Sequence, residues 1–330
     1  MKTYLDCIPC FFRQALEAAR IAGADEPTQK RILEEVGRTL PSVSLEASPP
    51  EIGETIYRLV REVTGIGDPY RLLKQESNRR ALAIYPELRQ KVRESHDPLL
   101  TAVKLAIAGN IIDYGIGSPM NIRDELQRIL GIEQNAIERE GAELFNYPAF
   151  SDAIEKAHTI LYLADNAGET VFDRVLIEEI RCRWGEREID YAVKAGPAIN
   201  DALAEDATAC GIHDSARVIS AGLQAPGTIL RLCSKEFVEL FEQADMVISK
   251  GQGNFEALSQ ERRSIFFLFM AKCPVVVKEL HCGLRDIILL HKPAHGRDVS
   301  TTALSAWVRS NRVTSSSKRD DGHGDNNTLQ

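Results

Sequence analysis

Hydrophobic and polar positions change their spacing once along the chain, near residue 150. Before that point, apolar residues recur every three or four positions, the period of a helix with one buried face. The spacing predicts helices over residues 10–21, from about Thr28, and over 51–64, 70–83, 86–94 and the strongly apolar 99–114. Pro27, Pro49-Pro50, the run Gly65-Ile66-Gly67-Asp68-Pro69, and Asp97-Pro98 punctuate them. No alternating strand pattern occurs in this half. From about Ala157 onward, short apolar runs alternate with helical stretches. The strand candidates are 160–164, 189–193, 216–220, 246–249 and 265–270, with 275–277 as a short extra strand. This alternation predicts an α/β fold with a mostly parallel sheet and helices on both faces. The expected organisation is a helical N-terminal domain over 1–150, an α/β domain over 151–290, and an extension over 291–330. The Ser-, Asp-, Gly- and Asn-rich end from about Arg309 has little to bury and reads as a disordered tail.

Composition narrows the function classes. The 330 residues carry 44% hydrophobic and 27% charged side chains, a soluble globular balance. A net charge of −8 argues against a general nucleic-acid binder. No apolar run reaches the roughly 20 residues that span a bilayer. Residues 1–12 carry Asp6 and two cysteines and do not read as a secretory signal. Seven cysteines without an export signal point to reduced thiols in a cytoplasm.

Candidate chemistry gathers where strands end. Residues 159–164 run into Asp165-Asn166-Ala167-Gly168-Glu169, and an amphipathic helix follows. Strand 189–193 leads through Lys194 to Gly196-Pro197-Ala198-Ile199-Asn200-Asp201. Strand 246–249 leads to Lys250-Gly251-Gln252-Gly253-Asn254. Parallel strands place their C-terminal ends on one sheet edge, where ligands of open α/β sheets bind. Three such segments, all bearing acids or amides, are therefore expected to converge. Asp165, Asn166 and Asp201 offer oxygen ligands for a divalent cation. Lys250 beside a glycine-rich turn and a helix N-terminus suits a phosphate. The competing local reading makes Asn166, Asn200 and Asn254 helix N-caps, with Glu169 closing a capping box. The lysine–glycine segment lacks the Gly-Lys-Ser/Thr ending of a nucleotide P-loop.

In the helical half, Asn110 and Asp113 stand three apart on one helix face among apolar neighbours. Buried polar groups are costly unless paired, so the pair is expected to lean toward the site. Cys7-Ile8-Pro9-Cys10 has the spacing of half a zinc site or of a redox pair, with Cys273, His281 and Cys282 as distal candidates. No Gly-x-Ser-x-Gly elbow is present, which argues against a serine hydrolase.

The segments around Asp165, around Asn200-Asp201-Ala202, and Ser249 through Glu256 together resemble the signature of the metal-dependent damage-control phosphatases, long labelled domain of unknown function 89. Asp6-Cys7-Ile8-Pro9-Cys10-Phe11, Gly109-Asn110-Ile111-Ile112-Asp113 and Lys272-Cys273-Pro274 are similar to its prokaryotic branch, and the resemblance spans about 1–290. It implies a helical N-terminal region on a three-layer α/β/α core, and a divalent metal (Mg, Mn, Co or Ni) held by Asp165, Asn166 and Asp201. Lys250 is implied to hold the substrate phosphate, with Asn110, Asp113, Glu169 and Asn254 lining the pocket. The implied reaction is hydrolysis of small phosphate monoesters such as sugar phosphates or damaged phosphometabolites. Asp165, Asp201 and Lys250 are its expected catalytic residues. Two alternatives remain at this stage. One is an S-adenosylmethionine-dependent carboxyl methyltransferase, for which no convincing glycine-rich loop with a ribose-binding acid is visible. The other is a non-catalytic phospholigand or metal sensor.

Overall fold

The computed structural model describes residues 1–109, 126–131, 144–185 and 187–294. The N-terminal helices start where local chemistry lets them. α1 (Cys7–Ile21) turns Phe11, Ala15, Ala18 and Ala19 inward. α2 (Glu26–Thr39) begins at Asp25, whose carboxylate accepts the Thr28 N–H, with Pro27 in the first turn. α3 (Pro49–Thr64) is opened by a capping box between Ser48 and Glu51, and Gly65 ends it in the left-handed conformation. α4 (Arg71–Glu94) is one continuous helix through Pro86, where two helices were expected. The proline removes a single backbone donor, and Ala81, Leu88 and Val92 carry the buried stripe across it. α5 (Pro98–Ala108), capped by Asp97 on the Leu100 N–H, is buried almost throughout. The expected continuation of that helix past Gly109, and the expected tail, lie outside the described residues.

After α6 (Tyr147–Lys156) the strands begin. The order is β1 (Thr159–Leu163), α7 (Glu169–Trp184), β2 (Glu188–Val193), α8 (Ala204–Ala209), β3 (Arg217–Ser220), α9 (Lys235–Gln243), β4 (Met246–Lys250), α10 (Gln252–Leu258), β5 (Ile265–Met270), α11 (Pro274–Leu280) and β6 (Ile287–Lys292). The sheet order is β3-β2-β1-β4-β5-β6. Every pairing is parallel except β5 with β6, which is antiparallel. Five strands fall where the apolar runs placed them. β6 was not anticipated, and residues 275–277 are helical rather than a strand. Pro274 stands in the first turn of α11, where its fixed φ starts a helix, and Val275 and Val276 are buried on the helix's inner side. Packing of that side prevails over the strand preference of three valines.

Alternation along β1 assigns its residues to the two faces. Ile160 and Tyr162 join one core with Leu88, Val103, Ile107, Val171 and Leu176, that is, with α4, α5 and α7. Leu161 and Leu163 join the other, with Phe11, Ile32, Ile56, Phe237 and Phe255 of α1, α2, α3, α9 and α10. The sheet is thus the middle of three layers, and helices from the first hundred residues cover both of its faces. Residues Met1–Pro293 form one compact unit. Among the described residues no helix is long and apolar enough to cross a membrane.

Candidate active site

β1 and β4 lie side by side, and the chain winds outward from them in opposite directions. That is a topological switch point, where the loops after neighbouring strands part and leave a crevice. Leu163 is in register with Ala192 on one side and Ser249 on the other. The chain therefore delivers the residues just past all three strands to the same edge. Asn166 and Asp201 form an isolated antiparallel bridge. Ala167 donates to the Asn200 carbonyl at 2.9 Å, and Ala202 donates to the Asp165 carbonyl at 2.8 Å. The third segment closes on Asp165 through Gly251, with φ +81° and ψ 154°. Only glycine takes that conformation without strain. A Cβ there would lie 2.0 Å from Asp165 Oδ2 and 2.1 Å from its Cγ. The Asp165 carboxylate thus rests directly against the β4–α10 turn. The three segments converge, and Asp165, Asn166 and Asp201 are all buried.

Lys250 is the last residue of β4, not part of the turn, and is 1% exposed. Its ammonium donates to Asp173 Oδ1 at 2.7 Å and to Glu169 Oε2 at 3.1 Å. Both acids are fully buried and stand four residues apart on one face of α7. Asp173 also accepts from the hydroxyls of Tyr162 (2.7 Å) and Tyr191 (2.8 Å). Burial works against the lysine charge, but Asp173 and Glu169 outweigh it and hold the Lys250 pKa above the ordinary lysine value. Burial holds both tyrosines well above theirs, so each remains a hydroxyl donor. An ammonium has three hydrogens to give, and the two carboxylates take two.

A second buried lysine, which sequence reasoning left out of the site, ends the β2 segment. Lys194 Nζ sits 3.4 Å from Asp201 Oδ2 and donates to the Gly227 carbonyl at 2.5 Å. Its signal was available: like Lys250, it is a lysine at the C-terminal end of a sheet strand. Asn254 is not the helix cap that one local reading expected. Gly251 precedes α10 as its cap residue. The Asn254 amide donates to the Ala164 and Lys250 carbonyls (3.0 and 2.7 Å), and its oxygen accepts from the Thr228 hydroxyl. It ties the end of β1 to the end of β4. The capping reading of Asn166 and Glu169 also fails, because Gly168 caps α7 and its N–H is taken by Asn78 Oδ1 of α4 at 2.6 Å. Asn110 and Asp113 lie outside the described residues.

The donor chemistry fits a hard divalent cation. Asn166 Nδ2 donates to Asp165 Oδ2 (3.2 Å) and Glu169 Oε1 (3.0 Å), so its carbonyl oxygen is the atom suited to a cation. Two carboxylates and one amide oxygen are hard ligands, few enough to leave positions for water and substrate. Among the described residues, no three His, Cys, Asp or Glu side chains form a metal cage. Cys273 and Cys282 are half-buried free thiols, and His281 is exposed. Burial raises the Cys7 thiol above its ordinary pKa, opposite to an activated redox cysteine.

These features define an α/β protein with an acidic, lysine-braced site at its switch point. The chain belongs to the damage-control phosphatase ARMT1-like domain family, which it matches over residues 3–288. It is 36% identical over 283 residues to damage-control phosphatase PH1575 of Pyrococcus horikoshii, covering 85% of this chain and 94% of the relative. It is 28% identical over 285 residues to a damage-control phosphatase of Archaeoglobus fulgidus, covering 86% and 96%. The crystal structure of the Pyrococcus horikoshii protein, described as a DUF89 family protein, superposes with a TM-score of 0.79 at 33% identity. That match covers 88% of this chain and 99% of the other.

Proposed function

We propose that this protein is a divalent-metal-dependent phosphatase of small phosphate monoesters, among them sugar phosphates or damaged phosphometabolites. The observation that carries the reading is the meeting of Asp165, Asn166 and Asp201 with two buried lysines at one sheet edge. The names of its relatives support it. In this reading Asp165, Asn166 and Asp201 hold Mn, Ni, Co or Mg, and the bound cation supplies charge neutralisation and an activated water. Lys250 spends its remaining donor on a phosphoryl oxygen while Glu169 and Asp173 fix its position. Lys194 gives Asp201 a counter-charge and orients its carboxylate. Asn254 acts from beneath by holding the β1 and β4 ends together. Asn110 and Asp113 are assigned to the pocket wall on the sequence resemblance alone. We also assign the chain to the prokaryotic branch with an N-terminal Cys-x-x-Cys, and to the cytoplasm.

The test is phosphate release from p-nitrophenyl phosphate and a panel of sugar phosphates, on metal-stripped protein resupplied with Mg, Mn, Co or Ni. Metal-stimulated turnover is expected in the wild type and is lost in Asp165→Ala and Asp201→Ala, each checked for folding by circular dichroism. Wild-type rates in either variant refute the placement of the metal. Metal binding without turnover on any substrate refutes the phosphatase reading in favour of a sensor.

A further inference from the structure

A narrow surface cleft, partly open to solvent, adjoins the second site segment. Tyr57, Val60 and Arg61 of α3, Asp68 and Tyr70 after it, and Pro197 and Ile199 line it. It lies one turn from Asp201: the Asp201 N–H donates to the Ala198 carbonyl at 3.0 Å, so the ends of that turn are within about 7 Å. Ile199, inside the turn, has φ +44°. A β-branched residue in the left-handed region is strained, and such strain persists where the surrounding structure imposes it, often at functional sites. Here the strained turn serves two ends, presenting Ile199 to the cleft and Asp201 to the cation site.

The charge in the cleft is lopsided. Asp68 is neutralised by the buried Lys74 at 2.9 Å. Glu54 and Glu62, on the same helix as Arg61, are both taken by Arg58 at 3.3 Å. Arg61 is half-buried, and its contact is the Pro197 carbonyl at a weak 3.5 Å. Among the described residues no carboxylate lies within 4.0 Å of its guanidinium. A guanidinium is a planar fork shaped for a carboxylate or phosphate. Apolar walls of Val60, Pro197 and Ile199 favour the carboxylate, which carries less charge to dehydrate than a second phosphate.

We propose that this cleft receives the far end of the substrate and that Arg61 binds a carboxylate there, so that the preferred substrates are phosphorylated carboxylic acids. This rests on the phosphatase reading for the position of the phosphate end. The test uses two inert probes of equal carbon count, 3-phosphonopropionate and propylphosphonate, which differ by the carboxylate. Calorimetry on the Mn-loaded wild type is expected to show about tenfold to hundredfold tighter binding of 3-phosphonopropionate, the worth of one charge-assisted hydrogen-bonded pair. In Arg61→Met the ratio is expected to fall to about one, and in Arg61→Lys to an intermediate value. Equal binding of the two probes by the wild type, or an undiminished ratio in Arg61→Met, overturns the proposal, as does failure of both probes to bind. Phosphate release from p-nitrophenyl phosphate separates the two readings. Turnover without probe discrimination removes the carboxylate subsite and leaves the phosphatase. Discrimination without turnover on any substrate removes the phosphatase and leaves an anion site.

Discussion

Gly251→Ala is the sharpest perturbation of the site because its geometry can be worked out atom by atom. The residue sits at φ +81° and ψ 154°, where an L-residue costs about 1–3 kcal/mol. Its Cβ would also come within 2.0 Å of Asp165 Oδ2 and 2.5 Å of Oδ1. The carboxylate must retreat by well over an ångström to restore an ordinary contact, and a misplacement of about 1 Å is worth about a hundredfold in rate. Gly65→Ala is the control. Gly65 has φ +71°, and a Cβ there meets nothing within 4 Å, so only the backbone cost of about 1–2 kcal/mol applies. Both variants should lose a few degrees in Tm by scanning calorimetry. Only Gly251→Ala should lose Mn affinity by titration calorimetry and about a hundredfold or more in metal-stimulated phosphate release. If Gly251→Ala binds Mn and turns over like Gly65→Ala, Asp165 is not a ligand and the reasoning fails.

Two further outcomes follow from the buried charges. Lys250→Met strands Glu169 and Asp173 without their cation, and should cost about 3–5 kcal/mol in urea unfolding. Adding Asp173→Asn should recover part of that, and a double variant no more stable than the single one counts against a coupled network. Burial chiefly raises the Glu256 carboxyl from 4.5 to about 7, against the opposing Gln252 hydrogen bond. The unfolded chain releases this proton near 4.5 and the folded chain near 7, so this group lowers stability as pH rises through that window. Glu256→Gln should therefore match the wild type near pH 4 and exceed it at pH 8, by at most about 3 kcal/mol. A Tm difference that does not change with pH would falsify this assignment.

How far the sequence could be read depended on whether a residue's partners were near it in the chain. The central strands β1, β4 and β5 were legible because parallel strands buried on both faces are continuous apolar runs. β6 was not, because Ile287–Lys292 ends in His291 and Lys292 and follows Arg285 and Asp286, so its polar flanks hid an edge strand. The convergence of three strand ends was legible from parallel topology alone. What the side chains do there was not. The glycines beside Lys250 suggested a phosphate ligand, and nothing near it in sequence showed the acids that fix it, which lie 77 and 81 residues earlier, on α7.

Sequence did hold a sign of that arrangement. Glu169 and Asp173 are acids at i and i+4 on a helix whose adjoining positions are Val171, Phe172, Val175 and Leu176. An acid pair embedded in an apolar helix is unaffordable without a cation. The strands of the adjoining sheet offered two, Lys194 and Lys250, each at a strand's C-terminal end. Symmetry of pattern could not say which lysine meets which acids; the face of the sheet decides it. Lys250 alternates with Met246 and Ile248, which pack on the α7 side, and reaches Glu169 and Asp173; Lys194 alternates with Ala192, which packs on the opposite side, and meets Asp201. The two lysines thereby take different work: one fixed by α7 beneath the crevice, the other countering a carboxylate at its rim.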